Sequence, residues 1–457
     1  MMQEPEVARR SDIRKDQKVN EKVTYRRAGL GIVASLSLAL AFGASIVLAA
    51  ESLPQYEATL EDLIASARTA NPGYQAAALK ERAAGLSPWD AGTPDPPALG
   101  VEFFQAPITS FPNPLKDQME IDYSIQQMIP FPGKLSVMAR AERAGRKVAS
   151  AERTGTQRTI ITALKRDFAE LYYSWRRQEV LAEDAAVLRS LAAVTSSLYS
   201  VGMTGQADVL RVQTELASLE ADSVGAAQEV AAMTAMVNAR AGRPVETEIA
   251  PVAEFVPDSI EPSYDSLCSL AVRHRPDLAA MTAEAKMKGA EATTQLAEFL
   301  PDFMARGTYK NMLQGPDDWA VMFGMTVPIS WSFPKFSARY EQKRLAARQA
   351  QLETDNMRIM AFAEIRVLQG RLSGLRSRMG IQHSSVIPAA RRTYESSLAR
   401  YRTGKTEFPM VIDAQRMYLM NVMEYHMTEM SFLQARAELE QATGADFDPI
   451  GAEPEGK

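Results

Sequence analysis

The sequence predicts a mainly α-helical protein with a small β part. Three observations carry that prediction. The chain after residue 50 reads as one unit written twice; Lys134 to Tyr199 runs without a proline; and four short segments read as strands, the clearest by period-two alternation of large apolar residues with small or flexible ones at 319–327. Period-two alternation marks strands with two different faces, and a long proline-free stretch marks a helix.

Composition bounds the function. Of 457 residues, 51 are basic and 56 acidic, a net charge of −5 that offers no basic excess for nucleic acid. Hydrophobic residues make up 46% and charged residues 23%, ordinary values for a chain with a real core. Cys268 stands alone, which rules out a disulfide framework and reads as a small buried hydrophobe. His274, His383 and His426 match no metal-ligand spacing, and no metal site is expected. No G-x-S-x-G, P-loop or H-E-x-x-H occurs, so no catalytic residue is expected either.

The N-terminus carries an export address. Arg9, Arg10, Arg14, Lys15, Lys18, Lys22, Arg26 and Arg27 precede an uncharged run from Ala28 to Ala50. The run is long enough to span a bilayer, but its ending, Val47-Leu48-Ala49-Ala50, favours cleavage over a retained anchor. No cysteine follows at the site where a lipid anchor would attach. No second apolar run of that length follows Glu51, so a membrane crossing by the remainder requires strands.

The repeat is read by self-comparison. Leu63 to Ala67 leading to Asn71-Pro72 resembles Leu267 to Ala271 leading to Arg275-Pro276, an offset of 204 residues (72 to 276). Tyr199-x-x-Gly202-x-Thr204, with Val209-Leu210 and Gln213, recurs as Tyr401-x-x-Gly404-x-Thr406, with Val411-Ile412 and Gln415, offset 202 (199 to 401). Gly242 and Gly444 close the two units at the same offset. Generic Leu/Ala helical periodicity explains neither the Tyr-Gly-Thr-Gln spacing nor the ordered prolines. The expected divisions are a basic leader 1–50, a first repeat 51–242, a proline-rich crossover 243–264, a second repeat 265–444 and a tail 445–457.

Each unit is then read in order. Short amphipathic helices open it at Leu60 to Ala70 and Ser266 to Arg275; second helices follow near Tyr74 to Ala84 and Asp277 to Glu298. Strands are expected at Ala98 to Gln105, Glu120 to Met128, Phe303 to Asn311 and 319–327, joined by polar loops at Pro107 to Asp117 and Gln314 to Asp318. Those lengths approach the roughly 9–11 residues of a tilted transmembrane strand. Four strands cannot close a barrel, and an open edge in lipid leaves backbone groups unpaired, so strands in a membrane demand other subunits. The Lys134 to Tyr199 helix spans on the order of 100 Å at its usual rise per residue. Return helices follow at about Asp208 to Arg240 and Pro409 to Ala442, and Pro388 predicts a kink in the second long helix.

These features together resemble the TolC family of outer-membrane efflux channels, over the whole chain after the leader. The resemblance is carried by Leu60-Glu61-Asp62-Leu63-Ile64 with Asn71-Pro72, by Gln127 to Leu135 with its Pro130-Phe131-Pro132-Gly133-Lys134, and by the paired Tyr-x-x-Gly-x-Thr turns. It implies a homotrimer with a 12-stranded barrel in outer-membrane lipid and a hollow helical barrel in the periplasm. The implied partners are a periplasmic adapter (membrane fusion) protein and an inner-membrane pump; no cofactor is implied. The adapter-docking tips are then Tyr199, Val201, Gly202, Thr204, Tyr401, Gly404 and Thr406. Acidic rings that constrict such channels map to position 413, an aspartate, and position 410, a methionine; Asp208 holds the matching site in the first unit. Asp413 and Asp208 are therefore the gate candidates, while Asp413 also reads as a helix-start carboxylate. The Pro-Phe-Pro-Gly-Lys junction resembles the subgroup paired with heavy-metal pumps of the resistance-nodulation-division class, which makes copper or silver ions a candidate cargo. Met417, Met420, Met423, Met427 and Met430 fall at helical spacing and read as a packing seam before a thioether metal relay. The alternatives are a type I protein-secretion duct using the same pore, and a periplasmic coiled-coil adapter or scaffold without one.

Overall fold

The computed structural model describes residues 59–104, 119–251, 262–312, 315–327 and 331–447. The leader, the loop at 107–117, Gln314, much of the proline-rich crossover and residues 448–457 of the tail lie outside the described residues. The first half contains α1 (Leu60–Ala70), α2 (Pro72–Ala84), α3 (Ser87–Gly92), β1 (Ala98–Phe104), β2 (Glu120–Ile129), α4 (Lys134–Ser200) and α5 (Gln206–Ala241). The second contains α6 (Tyr264–His274), α7 (Pro276–Ala297), β3 (Asp302–Met312), β4 (Asp318–Thr326), α8 (Phe333–Ile381), a π-helical turn (Gln382–Val386), α9 (Ile387–Arg402) and α10 (Phe408–Thr443). Among the described residues the short helix α3 has no counterpart in the second half, and it has no periodic signal long enough to announce it.

The two halves begin and end by the same devices. Thr59 and Asp62 form a reciprocal capping box on α1, and Ser263 caps α6 through Ser266 N at 3.3 Å. The residues before the paired prolines differ in kind but act alike. Asn71 donates Nδ2–H to the Arg240 carbonyl at 2.8 Å, and Arg275 donates to the Ala442 carbonyl at 3.3 Å. Each turn therefore satisfies a carbonyl in the last turn of its own unit's return helix, one of the groups a helix leaves unpaired. Gly242 (φ 72°) and Gly444 (φ 71°) follow those carbonyls in the left-handed region. A Cβ on Gly242 would lie 2.7 Å from Ala70 C and Asn71 N; on Gly444 it would lie 2.3 Å from the His274 carbonyl oxygen. These glycines are required both by backbone conformation and by close approach of the opening turn.

The helices bury narrow stripes. One core joins Leu63, Ala67, Leu164, Phe168 and Val237, from α1, α4 and α5. Another joins Tyr172, Leu267, Ile365, Phe432 and Leu439, from α4, α6, α8 and α10. A third, nearest the hairpin ends, joins Leu188, Val212, Tyr401, Phe408 and Val411. A π-helical turn at Gln382–Val386 lies just before Pro388, where the kink is expected, and α9 continues with Pro388 in its first turn. Cys268 is half-buried on α6 rather than enclosed in the core, because Leu267 and Ala271 occupy the inward stripe. Among the described residues, no helix is long and apolar enough to cross a membrane.

The four strands form one antiparallel sheet in the order β1-β2-β3-β4. Its central pairing joins the two halves, with Tyr123 opposite Tyr309 and Gln126 opposite Arg306. Among the described residues, both outer strands keep a free edge.

Candidate functional site: the sheet and the hairpin tips

Register sorts the sheet into two chemically different faces. Val101, Tyr123, Tyr309 and Trp319 lie in one row across all four strands, and Leu99, Ile125, Gly307 and Val321 lie in the next. The row order on the opposite face is Glu102, Asp122, Lys310 and Asp318, then Gly100, Ser124, Thr308 and Ala320. The apolar side is open: Trp319 is 78% exposed, Phe323 82% and Leu99 80%. On the polar side, Lys310 Nζ lies 2.6 Å from Glu120 Oε1 and 3.6 Å from Asp122 Oδ2. Aromatic and aliphatic groups on one face and paired charges on the other are what a barrel needs to meet lipid outside and water inside.

The strand-to-helix junction is braced across the repeat. Gly133 (φ 96°) turns the chain into α4, and Lys134, only 7% exposed, reaches Asp302 Oδ2 at 2.8 Å and Glu298 Oε1 at 3.6 Å. Phe131 stacks on Phe303 with ring centroids 6.4 Å apart. Sequence marked Lys134 only as part of a junction; its partners lie some 170 residues away in the chain, with no local signal.

The two hairpin tips share a motif but not an environment. At the first tip, Tyr199, Val201 and Met203 are exposed, as is Leu210, and Gly202 (φ 75°) makes the turn with open space around it. Thr204 donates its hydroxyl to Asp208 Oδ2, which fastens that carboxylate at the start of α5. At the second tip, Gly404 (φ 66°) makes the turn, but Tyr401 is 3% exposed and packs edge-on against Phe408 at 5.7 Å. The Tyr401 hydroxyl sits 3.4 Å from Thr195 Oγ1 and from Thr204 Oγ1. Thr406 is half-buried. Val411 and Ile412 are buried where their counterparts Val209 and Leu210 are not. Met203 approaches Gly404, so the two tips touch.

Position 410 breaks the Thr-Asp pairing of the first tip, and Met410 is 59% exposed. Asp413 is exposed two turns into α10, separate in setting from the fastened Asp208. The methionine seam splits. Met417, Met420 and Met427 are exposed, while Met423 packs on the core near the tips and Met430 on the core beyond it. The motif glutamine also diverges: Gln213 is exposed, whereas Gln415 is buried and donates its amide to Asp184 Oδ1. Burial pushes the Asp184 carboxyl above its ordinary range, and the Gln415 hydrogen bond partly offsets that. Farther along, Glu429 is fully buried beside His426 Nδ1 at 2.7 Å and the Tyr172 hydroxyl at 3.5 Å. These polar contacts tie α4 of one half to α10 of the other.

Among the described residues no group of His, Cys, Asp and Glu could hold a metal ion. No curated protein matches the chain by sequence. Three solved structures share its fold. The outer-membrane channel OprN aligns with a TM-score of 0.71 at 17% identity, over 85% of this chain and 90% of that one. CusC, described by its conformational changes on folding and transmembrane channel formation, aligns at 0.72 and 14%, over 88% and 96%. The outer membrane protein VceC of Vibrio cholerae aligns at 0.69 and 18%, over 86% and 98%. Residues 267–445 match the family model described as outer membrane efflux protein, which covers the second half of the repeat. With that family signature over the second half and the fold shared across both, the chain is similar to the outer membrane efflux proteins and has the fold of these outer-membrane channels.

Proposed function

We propose that three copies of this chain close one duct, which passively carries substrate from an inner-membrane pump and a periplasmic adapter to the exterior. The observation that carries this reading is the sheet. Among the described residues, one chain supplies four registered strands with an apolar face, a charged face and two free edges. Lipid does not tolerate a free strand edge, and closure by symmetry-related copies removes it. Three copies give the 12 strands that the family resemblance implies. Long helices continuing from each strand pair extend the path into the periplasm.

The adapter docks, in this reading, on the first tip, where Tyr199, Val201 and Met203 stand exposed around Gly202. The buried Tyr401, with Gly404, Thr204 and Thr406, shapes that end rather than presenting it. Asp413 forms the gate, since three copies of one exposed carboxylate around a pore axis repel each other and draw cations. Asp208, already fastened by Thr204, sets the geometry of its own turn, the first tip. Heavy-metal ions such as copper or silver are the proposed cargo, on the strength of the Pro130-Phe131-Pro132-Gly133-Lys134 junction.

Three measurements test the proposal. Outer-membrane fractions should contain a heat-modifiable trimer; a soluble periplasmic monomer refutes the duct. In planar bilayers, Asp413→Ala should raise resting conductance and lower cation preference, and an unchanged current sinks the gate. Deletion of the gene should sensitise cells to copper or silver, and unchanged tolerance refutes the cargo alone.

A further inference from the structure

Arg140, Arg143 and Lys147 are spaced three and four residues apart on α4, so they share one helix face. Lys286 of α7 and Arg358 of α8 border the same groove, whose volume is about 520 Å³. Its floor is apolar, with Leu278 and Ala283 buried there beside Ala279 and Ala290. Arg358 pairs with Asp355 at 2.6 Å, while Arg140, Arg143, Lys147 and Lys286 form no ion pair among the described residues. A chain with a net charge of −5 thus gathers four uncompensated cations around one hollow.

Small-molecule sites are commonly concave, of roughly 300–1,000 Å³, and mostly apolar with a few converging polar groups. Guanidinium groups offer paired N–H donors that match phosphate oxygens, and the ammonium groups add point charge. We propose that this groove binds an anionic amphiphile, an organic phosphate whose apolar body lies over Leu278 and Ala283. Its phosphate sits among Arg140, Arg143, Lys147 and Lys286. Both halves of the chemistry are needed, because the cations surround a floor that offers a bare phosphate nothing further.

Two sources supply such a ligand. The strand-to-helix junction is at Lys134, so Arg140 to Lys147 lie roughly 10–20 Å along α4 from it, at about 1.5 Å per residue. A headgroup layer is only about 5–8 Å deep on each side of the hydrocarbon, so a lipid phosphate reaches Arg140 first and a soluble organic phosphate reaches all four cations. The groove stands independently of the channel reading; only the lipid source rests on it.

Calorimetric titration of the full-length assembled protein in amphipol distinguishes these cases. The probes are 1-naphthyl phosphate, dihexanoyl phosphatidic acid, inorganic phosphate and uncharged 1-naphthol. At least one organic phosphate should bind saturably, and inorganic phosphate and naphthol should bind about tenfold more weakly or worse. Arg143→Gln with Lys286→Gln should weaken the organic phosphate at least tenfold or so. Thr282→Trp, which fills the groove from an exposed position without changing charge, should do the same. Tighter binding of phosphatidic acid assigns the lipid source, and tighter binding of naphthyl phosphate assigns the soluble one. Loss of binding in the charge variant but not in Thr282→Trp overturns the site, since surface charge alone then explains it. Equal affinity for inorganic phosphate, or no saturation by either organic phosphate, overturns it as well.

Discussion

Placing one methyl group at Gly444 tests how the second half of the chain is closed. Gly444 has φ 71°, where a side chain costs about 1–2 kcal/mol from backbone sterics alone. The new Cβ would also fall 2.3 Å from the His274 carbonyl oxygen and 2.6 Å from Arg275 N. Both obstacles are backbone, so no side-chain rotation relieves them, and the α6–α7 turn must move by about an ångström. Overpacking of that kind adds about 1–3 kcal/mol, which brings Gly444→Ala to about 2–5 kcal/mol in total. Gly202→Ala is the internal control. Its φ of 75° carries the same conformational cost, but nothing lies within 4 Å of the added carbon, so the loss stays near 1–2 kcal/mol. The assay is thermal unfolding followed by circular dichroism, with hydrogen exchange of peptides covering 264–276. Gly444→Ala should melt earlier than Gly202→Ala and should speed exchange in that turn specifically. Equal melting and unchanged exchange in the turn would refute the argument that close approach, rather than φ alone, demands the glycine.

Three other outcomes follow from the same geometry. Phe323→Lys puts a charge on the apolar face and should cost about 2–4 kcal/mol of barrel stability, whereas Ser124→Lys on the polar face should cost far less; urea unfolding in detergent or lipid compares them. Asp184→Asn keeps the contact to Gln415 but removes a carboxyl that burial holds above its ordinary range. A raised folded value means the wild-type contribution is full in acid, below the unfolded value, and is lost as pH rises through the folded one. The variant should therefore gain stability near neutral pH and lose that advantage in acid, and an equal melting difference at both pH values contradicts this. Tyr401→Phe removes a buried hydroxyl and should cost about 0.5–1.5 kcal/mol in thermal melts, while Tyr199→Phe, at an exposed site, should leave the melt unchanged.

Much of the architecture was legible before any coordinates. The proline-free stretch from Lys134, the paired turns and the period-two segments are local signals, and the observed helices and strands begin and end within a few residues of them. Local pattern sufficed because each long helix needs only one apolar stripe and each strand only one apolar face. The short helix α3 escaped that reading, since six residues hold too little periodicity to register. The π-helical turn escaped it too: Pro388 announced a disturbance, but only the packed helix decided its form.

The sequence by itself determined the doubling, the four strands with two faces, the gly-capped ends at Gly242 and Gly444, and the turn-forming Gly202 and Gly404. Tertiary structure alone decided what each copy does with the shared motif. Tyr199 and Tyr401 are equivalent in sequence, yet one faces solvent and the other is enclosed by Thr195, Thr204 and Phe408. Gln213 and Gln415 divide in the same way, because Asp184 lies beside only the second. The β2–β3 pairing and the Lys134 brace to Asp302 join residues some 170 or more positions apart. A repeat encodes the same local conformation twice, but equivalent residues of the two copies meet different partners across the helix contacts. Those differences set which tip is exposed and which is buried.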